Sequence, residues 1–153
     1  MNKAKYDALP DDLRAILNAE SGAKLSAFAT QVMWDMDAPA RKIAVDAGNT
    51  IVRARELAHD GPAAVAARLV EGERFVIVYD VDGTDPADMP AVRAPVPGGP
   101  GAALVGDLFG ALAARGSLAG MVVTEFEPEL DPHSTAALSL ARVLCRALEG
   151  RLG

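Results

Sequence analysis

Apolar and polar positions follow two rhythms along the chain. In the first fifty residues apolar positions recur at helical spacing, with Leu13, Ile16 and Leu17, then Leu25, Phe28 and Val32, on one stripe. Pro10 suits a first helical position, and Asp11 and Asp12 suit the positive end of the helix dipole. Ser21-Gly22 predicts a kink or break. Residues 38–47, APARKIAVDA, predict a further helix with Gly48 or Asn49 as its stop. The later part alternates. PAAVAARLV (62–70) predicts a short helix opened by Pro62, and RFVIVY (74–79) is a continuous apolar run, expected of a strand buried on both faces. A Pro- and Gly-rich loop runs from Asp80 to about Gly101. A helix over 102–114 stopped by Gly116, a second buried strand over 118–126 and a closing amphipathic helix over 134–150, capped by Ser134, complete the series. Helix–strand–helix–strand–helix implies an α/β fold with parallel strands joined by a right-handed crossover.

Composition divides the chain near residues 49–56. All four lysines precede this junction and eight of the ten prolines follow it. The expected organisation is a helical segment over 1–52 and an α/β segment over 53–153. With 153 residues, half of them apolar, the chain is long enough to bury a real core. A net charge of −6 provides no basic stripe for phosphates, which argues against a nucleic-acid partner. Nothing approaches the roughly 18 apolar residues of a spanning helix, so no membrane partner is expected. The single cysteine, Cys145, and an N-terminus without the apolar core of a signal peptide make the cytoplasm the expected location.

Two acidic clusters change this picture. Asp80, Asp82 and Asp85 follow the first strand, and Glu125 and Glu127 end the second. In parallel sheets chemistry collects at the carboxyl ends of the strands. Residues i and i+2 of a strand point to one face, so Asp80 and Asp82 can present their carboxylates to one site. Oxygen ligands suit Mg²⁺ or Mn²⁺, and a pair of such ions can deprotonate a bridging water. The plainer reading makes Asp82-Gly83 and Asp85-Pro86 turn formers. The spacing excludes an EF-hand, because glycine comes too early and no glutamate closes the loop.

YDVDGTDPADMPAVRAPVPGG (79–99) and GMVVTEFEPELDP (120–132) together resemble the C-terminal part of the arginase/agmatinase, or ureohydrolase, family. The shared pattern is an apolar strand, Asp-x-Asp-x-x-Asp-Pro, a loop with Pro-x-Pro-Gly-Gly, and a strand ending in Glu-x-Asn-Pro. The resemblance spans roughly residues 53–153 and implies part of a three-layer α/β fold and a binuclear Mn²⁺ centre hydrolysing a small guanidinium compound to urea. By position, Asp80 would bridge both metals, Asp82 would bind one, Glu125 would pair with the substrate guanidinium, and Gly98-Gly99 would shape the loop near the mouth. The family's upstream ligands, a histidine and an Asp-Ala-His-x-Asp stretch, have no counterpart around His59, the one upstream histidine. Glu127 stands where the family has asparagine, and Val123 where an aspartate is usual. The likeness is to the tail of such a domain.

DVDGT also resembles the nucleophile motif of the aspartate-nucleophile phosphatases, which implies Mg²⁺-dependent chemistry, but no lysine follows Lys42 and GDLFGALA (106–113) lacks the later acids. Residues 6–52 resemble the C-terminal helices of substrate-binding proteins of TRAP-type transporters, where this segment is packing material. Trp34 is then expected to anchor against a core. Cys145 is expected to be buried and inert, and His133 to be a solvated loop histidine. PVPGGPG (95–101) lacks the lysine of a phosphate loop. The sequence thus supports a Mn²⁺-dependent ureohydrolase segment, with a non-catalytic structural or oligomerising module as the alternative. Missing upstream strands would leave sheet edges open, so a homo-oligomer is expected.

Overall fold

A computed structural model describes residues 2–152 of the chain. These residues group into two compact units, one ending at Ile51 and one beginning at Val52.

The first unit is helical: α1 (Lys3–Asp7), α2 (Asp11–Ala19) and α3 (Ala23–Asp46). Asn2 caps α1 by accepting from the Ala4 N–H at 2.9 Å, and the Tyr6 hydroxyl donates to Asn18 Oδ1 at 2.6 Å, tying α1 to α2. The chain breaks at Ser21-Gly22, where Gly22 takes a φ of 67°. Residues 38–47 do not form a helix of their own. They are the last turns of the 24-residue α3, which runs straight through Pro39. Proline removes one main-chain bond there, and the helix formers on both sides keep the remaining ladder intact. No residue of these three helices is buried. Trp34 is 74 % exposed, so it does not anchor a core.

The second unit contains α4 (Ala54–Asp60), α5 (Pro62–Leu69), β1 (Arg74–Asp80), α6 (Ala102–Arg115), β2 (Ser117–Thr124) and α7 (Thr135–Leu152). β1 and β2 pair in parallel, with α6 as the crossover, which makes this an α/β fold. The register aligns Phe75 with Leu118, Ile77 with Met121, Tyr79 with Val123 and Asp80 with Thr124. Because side chains alternate along a strand, Phe75, Ile77 and Tyr79 join Leu118, Met121 and Val123 on one face. There they pack with Val105, Phe109 and Leu112 of α6 and with Ala136, Val143 and Ala147 of α7.

The opposite face is bare. Val76, Val78 and Val122 are 55 %, 69 % and 48 % exposed, so the strands are not buried on both faces as their continuous apolar runs suggest. Such runs report the covering a strand is suited to, and here the helices of the unit cover one side only. Among the described residues no helix is long and apolar enough to cross a membrane.

Candidate functional site

β1 ends at Asp80, and the chain turns at once into a single 3-10 turn, Val81–Gly83. Asp82 therefore does not continue the strand, and the i, i+2 argument for a shared face does not apply. A local bond links the two acids instead: the Asp82 N–H donates to Asp80 Oδ1 at 3.1 Å. Asp80 is exposed and Asp82 half-buried. Oδ1 of Asp82 is buried and has no hydrogen-bond partner. Leaving such an oxygen unpaired costs about 1–3 kcal/mol, and more when it is charged.

The third aspartate of the motif has a different task. Asp85 accepts from the Ala87 N–H at 2.9 Å through Oδ1 and from the Gly98 N–H at 3.0 Å through Oδ2. Its own N–H donates to the Pro100 carbonyl at 3.0 Å. Asp85 thus clamps the proline-rich loop, with one backbone N–H on each carboxylate oxygen. The loop lies so close that a Cβ on Gly99 would strike the Gly83 carbonyl oxygen and stand 3.0 Å from the Asp85 nitrogen. Gly98, at φ 83°, makes the turn that allows this approach. The two glycines are therefore needed to seat the loop against the turn that carries Asp82.

The register of β2 puts Glu125 one position beyond the partner of Asp80, at the same end of the sheet. Glu125 is exposed and takes a left-handed φ of 63°. A non-glycine residue in that region stores strain of order 1–3 kcal/mol, a feature that clusters at functional sites. Glu127 is engaged elsewhere. It accepts from Arg93 Nε at 2.7 Å and from Arg93 Nη2 at 2.9 Å, a fork-to-fork pair between the loop and the end of β2. The hydrogen bond from Arg93 holds the Glu127 carboxyl below its usual range. Among the described residues no group of three or more His, Cys, Asp or Glu side chains is arranged to hold a metal ion. Asp80 and Asp82 fit a divalent cation as hard oxygen donors, and the orphaned Asp82 oxygen fits the need for one. Two ions would require more donors than these.

Other expectations meet a mixed outcome. His133 is exposed in the loop before α7, as expected. His59 sits on α4 with Nδ1 2.8 Å from Asp60 Oδ1, on an element separate from both strand ends. Cys145 is exposed, not buried. It lines a groove of about 490 Å³ between α6 and α7 with Asp88, Gly106, Asp107, Arg142 and Arg146, and none of the strand-end acids belongs to it. Ser134 does not cap α7; Asp131 does so, accepting from the N–H groups of Ala136 at 3.1 Å and Ala137 at 2.8 Å. Local patterns gave no sign of the Arg93–Glu127 pair, which spans 34 positions, or of a buried hydroxyl pair between Tyr79 and Thr84.

The sequence matches the arginase family over residues 25–149, beginning inside α3. No curated protein matches the chain. Among solved structures, a hypothetical agmatinase from Burkholderia thailandensis is 28 % identical with a TM-score of 0.60; the match covers 69 % of this chain and 34 % of that one. An arginase from Bacillus caldovelox is 26 % identical with a TM-score of 0.59, over 74 % of this chain and 40 % of its own. A Trypanosoma cruzi formiminoglutamase, solved with Mn²⁺, is 18 % identical with a TM-score of 0.65 over the same shares and speaks for the fold alone. The chain spans between about a third and two fifths of the length of these relatives.

Proposed function

The chain belongs to the arginase family, and from that premise we propose that it carries the acidic strand-end portion of a ureohydrolase site. In this reading Asp80 and Asp82 ligate Mn²⁺, and Glu125 meets the guanidinium group of a small arginine- or agmatine-like substrate. The observation that carries it is the buried, partnerless Oδ1 of Asp82 beside Asp80. A carboxylate oxygen out of water and without a donor is stable only beside positive charge, and hard oxygen donors suit Mn²⁺.

A divalent cation held there would supply positive charge that makes a nearby water more acidic. This chain's residues do the rest of the binding work. Asp80 orients the turn by accepting from the Asp82 N–H, and Asp85 with Gly98-Gly99 seats the loop beside it. Glu125, projected from a left-handed residue at the adjacent strand end, offers two acceptors to a planar guanidinium. With no group of three or more potential metal ligands among the described residues, no hydrolytic step is assigned to this chain by itself. The bare sheet face, bordered by strand edges, favours a homo-oligomer.

Calorimetric titration with Mn²⁺ tests the reading. One ion per chain is expected, with affinity at least about tenfold weaker in Asp82→Asn and Asp80→Asn, and with far-UV dichroism unchanged. In the Mn²⁺-loaded protein, agmatine or arginine binding is expected to weaken in Glu125→Gln. Equal Mn²⁺ affinity in the unmutated chain and Asp82→Asn would sink the proposal.

A further inference from the structure

A buried pair of hydroxyls flanks the acidic turn, and the proposed function does not use it. The Tyr79 hydroxyl lies 2.6 Å from Thr84 Oγ1, with Tyr79 5 % and Thr84 1 % exposed. We propose that this pair is a positioning device: it closes the turn over residues 80–83 and so holds the unpartnered oxygen of Asp82 where a divalent cation can take it. The proposal rests on the reading of Asp82 as a metal ligand and adds Tyr79 and Thr84 as residues that set metal affinity without touching the metal.

Three features support it. The first is anchorage. The Tyr79 ring stands edge-on to Phe109 of α6, with centroids 5.2 Å apart and planes at 84°, so the ring that carries the hydroxyl is fixed to the core. The second is closure. Thr84 also donates its N–H to the Val81 carbonyl at 3.1 Å, and Asp80 accepts from the Asp82 N–H, so the backbone around Asp82 is held from both sides. An orphaned oxygen gains hydration by swinging into water, and it stays buried only where the surrounding bonds leave it no choice. The third is polarity. A phenylalanine at 79 with a valine at 84 would pack similarly and bury no polar atoms. Replacing both partners of a buried hydrogen bond by apolar groups of like shape is nearly neutral for stability. Packing alone therefore leaves the two hydroxyls without a reason.

The test is Mn²⁺ titration of the full chain and of the Tyr79→Phe/Thr84→Val double variant, with thermal melting of the same samples. The double variant is expected to melt close to the unmutated chain and to bind Mn²⁺ about tenfold more weakly, while Thr84→Ser, which keeps the hydroxyl, stays within about twofold. A folded double variant with unchanged affinity overturns the proposal, provided Asp82→Asn has lost binding. Unchanged binding in Asp82→Asn overturns the metal reading and the positioning role with it. Should the double variant not fold, Tyr79→Phe alone is expected to show the same weakening, and unchanged affinity there overturns the proposal in the same way.

Discussion

At Gly99 the chain has no room for a side chain. A Cβ there would meet the Gly83 carbonyl and the Asp85 nitrogen, and that nitrogen is already bonded to the Pro100 carbonyl. Backbone cannot yield as a flexible side chain does, so Gly99→Ala is expected to destabilise the fold by about 1–3 kcal/mol. Gly83→Ala, whose Cβ meets nothing within 4 Å, is the control. Thermal melts of the two variants check this, and equal midpoints would contradict it. Asp85 shows where reading single residues stops working. Reading Asp85-Pro86 as a turn former accounts for the bond from the Ala87 N–H, but the bond from Gly98, thirteen positions on, is visible only in the fold. Trp34 and Cys145 teach the same lesson, because helical spacing finds a stripe but not whether anything covers it.

Helix boundaries were legible wherever a local signal decides them: Pro62 opens α5 and Gly116 ends α6. The start of α7 was not, because Ser134 satisfies the capping rule by residue type yet takes a left-handed φ of 56°. The capping oxygens come from Asp131, further back. Burial pushes the Asp131 carboxyl upward, but the bonds from Ala137, Ala136 and Thr135 outweigh it, and the net direction is down. A carboxyl lowered in the folded state adds stability above its unfolded value of about 4, and that stability is lost as pH falls through the lowered folded value. The α7 end is thus expected to loosen below about pH 4. In Asp131→Asn, helix content followed by circular dichroism should depend less on pH in that window, and the neutral-pH melt should fall. An acid profile matching the unmutated chain would count against this role. The Arg93–Glu127 pair adds to the same acid sensitivity, since Glu127 is lowered in the same direction.

At the scale of the molecule, alternation of helix and strand revealed the α/β class and the parallel pairing, since a crossover helix between two apolar runs permits little else. The one-sided sheet was hidden, because an apolar run records what a strand can bury and not what lies against it. Val76, Val78 and Val122 form a patch on a two-stranded sheet with strand edges beside it. Apolar surface of this kind favours association between copies. Sedimentation velocity is expected to show the mean size rising with concentration, and Val78→Lys with Val122→Lys should shift the distribution toward monomer. A single concentration-independent monomer in the unmutated chain would rule this surface out as an interface.

The Asp85 clamp also governs which bonds a digestive enzyme could reach. Residues 86–98 read as loose cord, rich in proline, yet Met89, Ala91 and Val92 are buried in the core and both ends are buckled to one aspartate. The Arg93–Ala94 peptide is where a trypsin-like protease would look for purchase, and its arginine head is already held by Glu127. A stretch that looks like the weakest part of the chain is strapped down beside its one arginine.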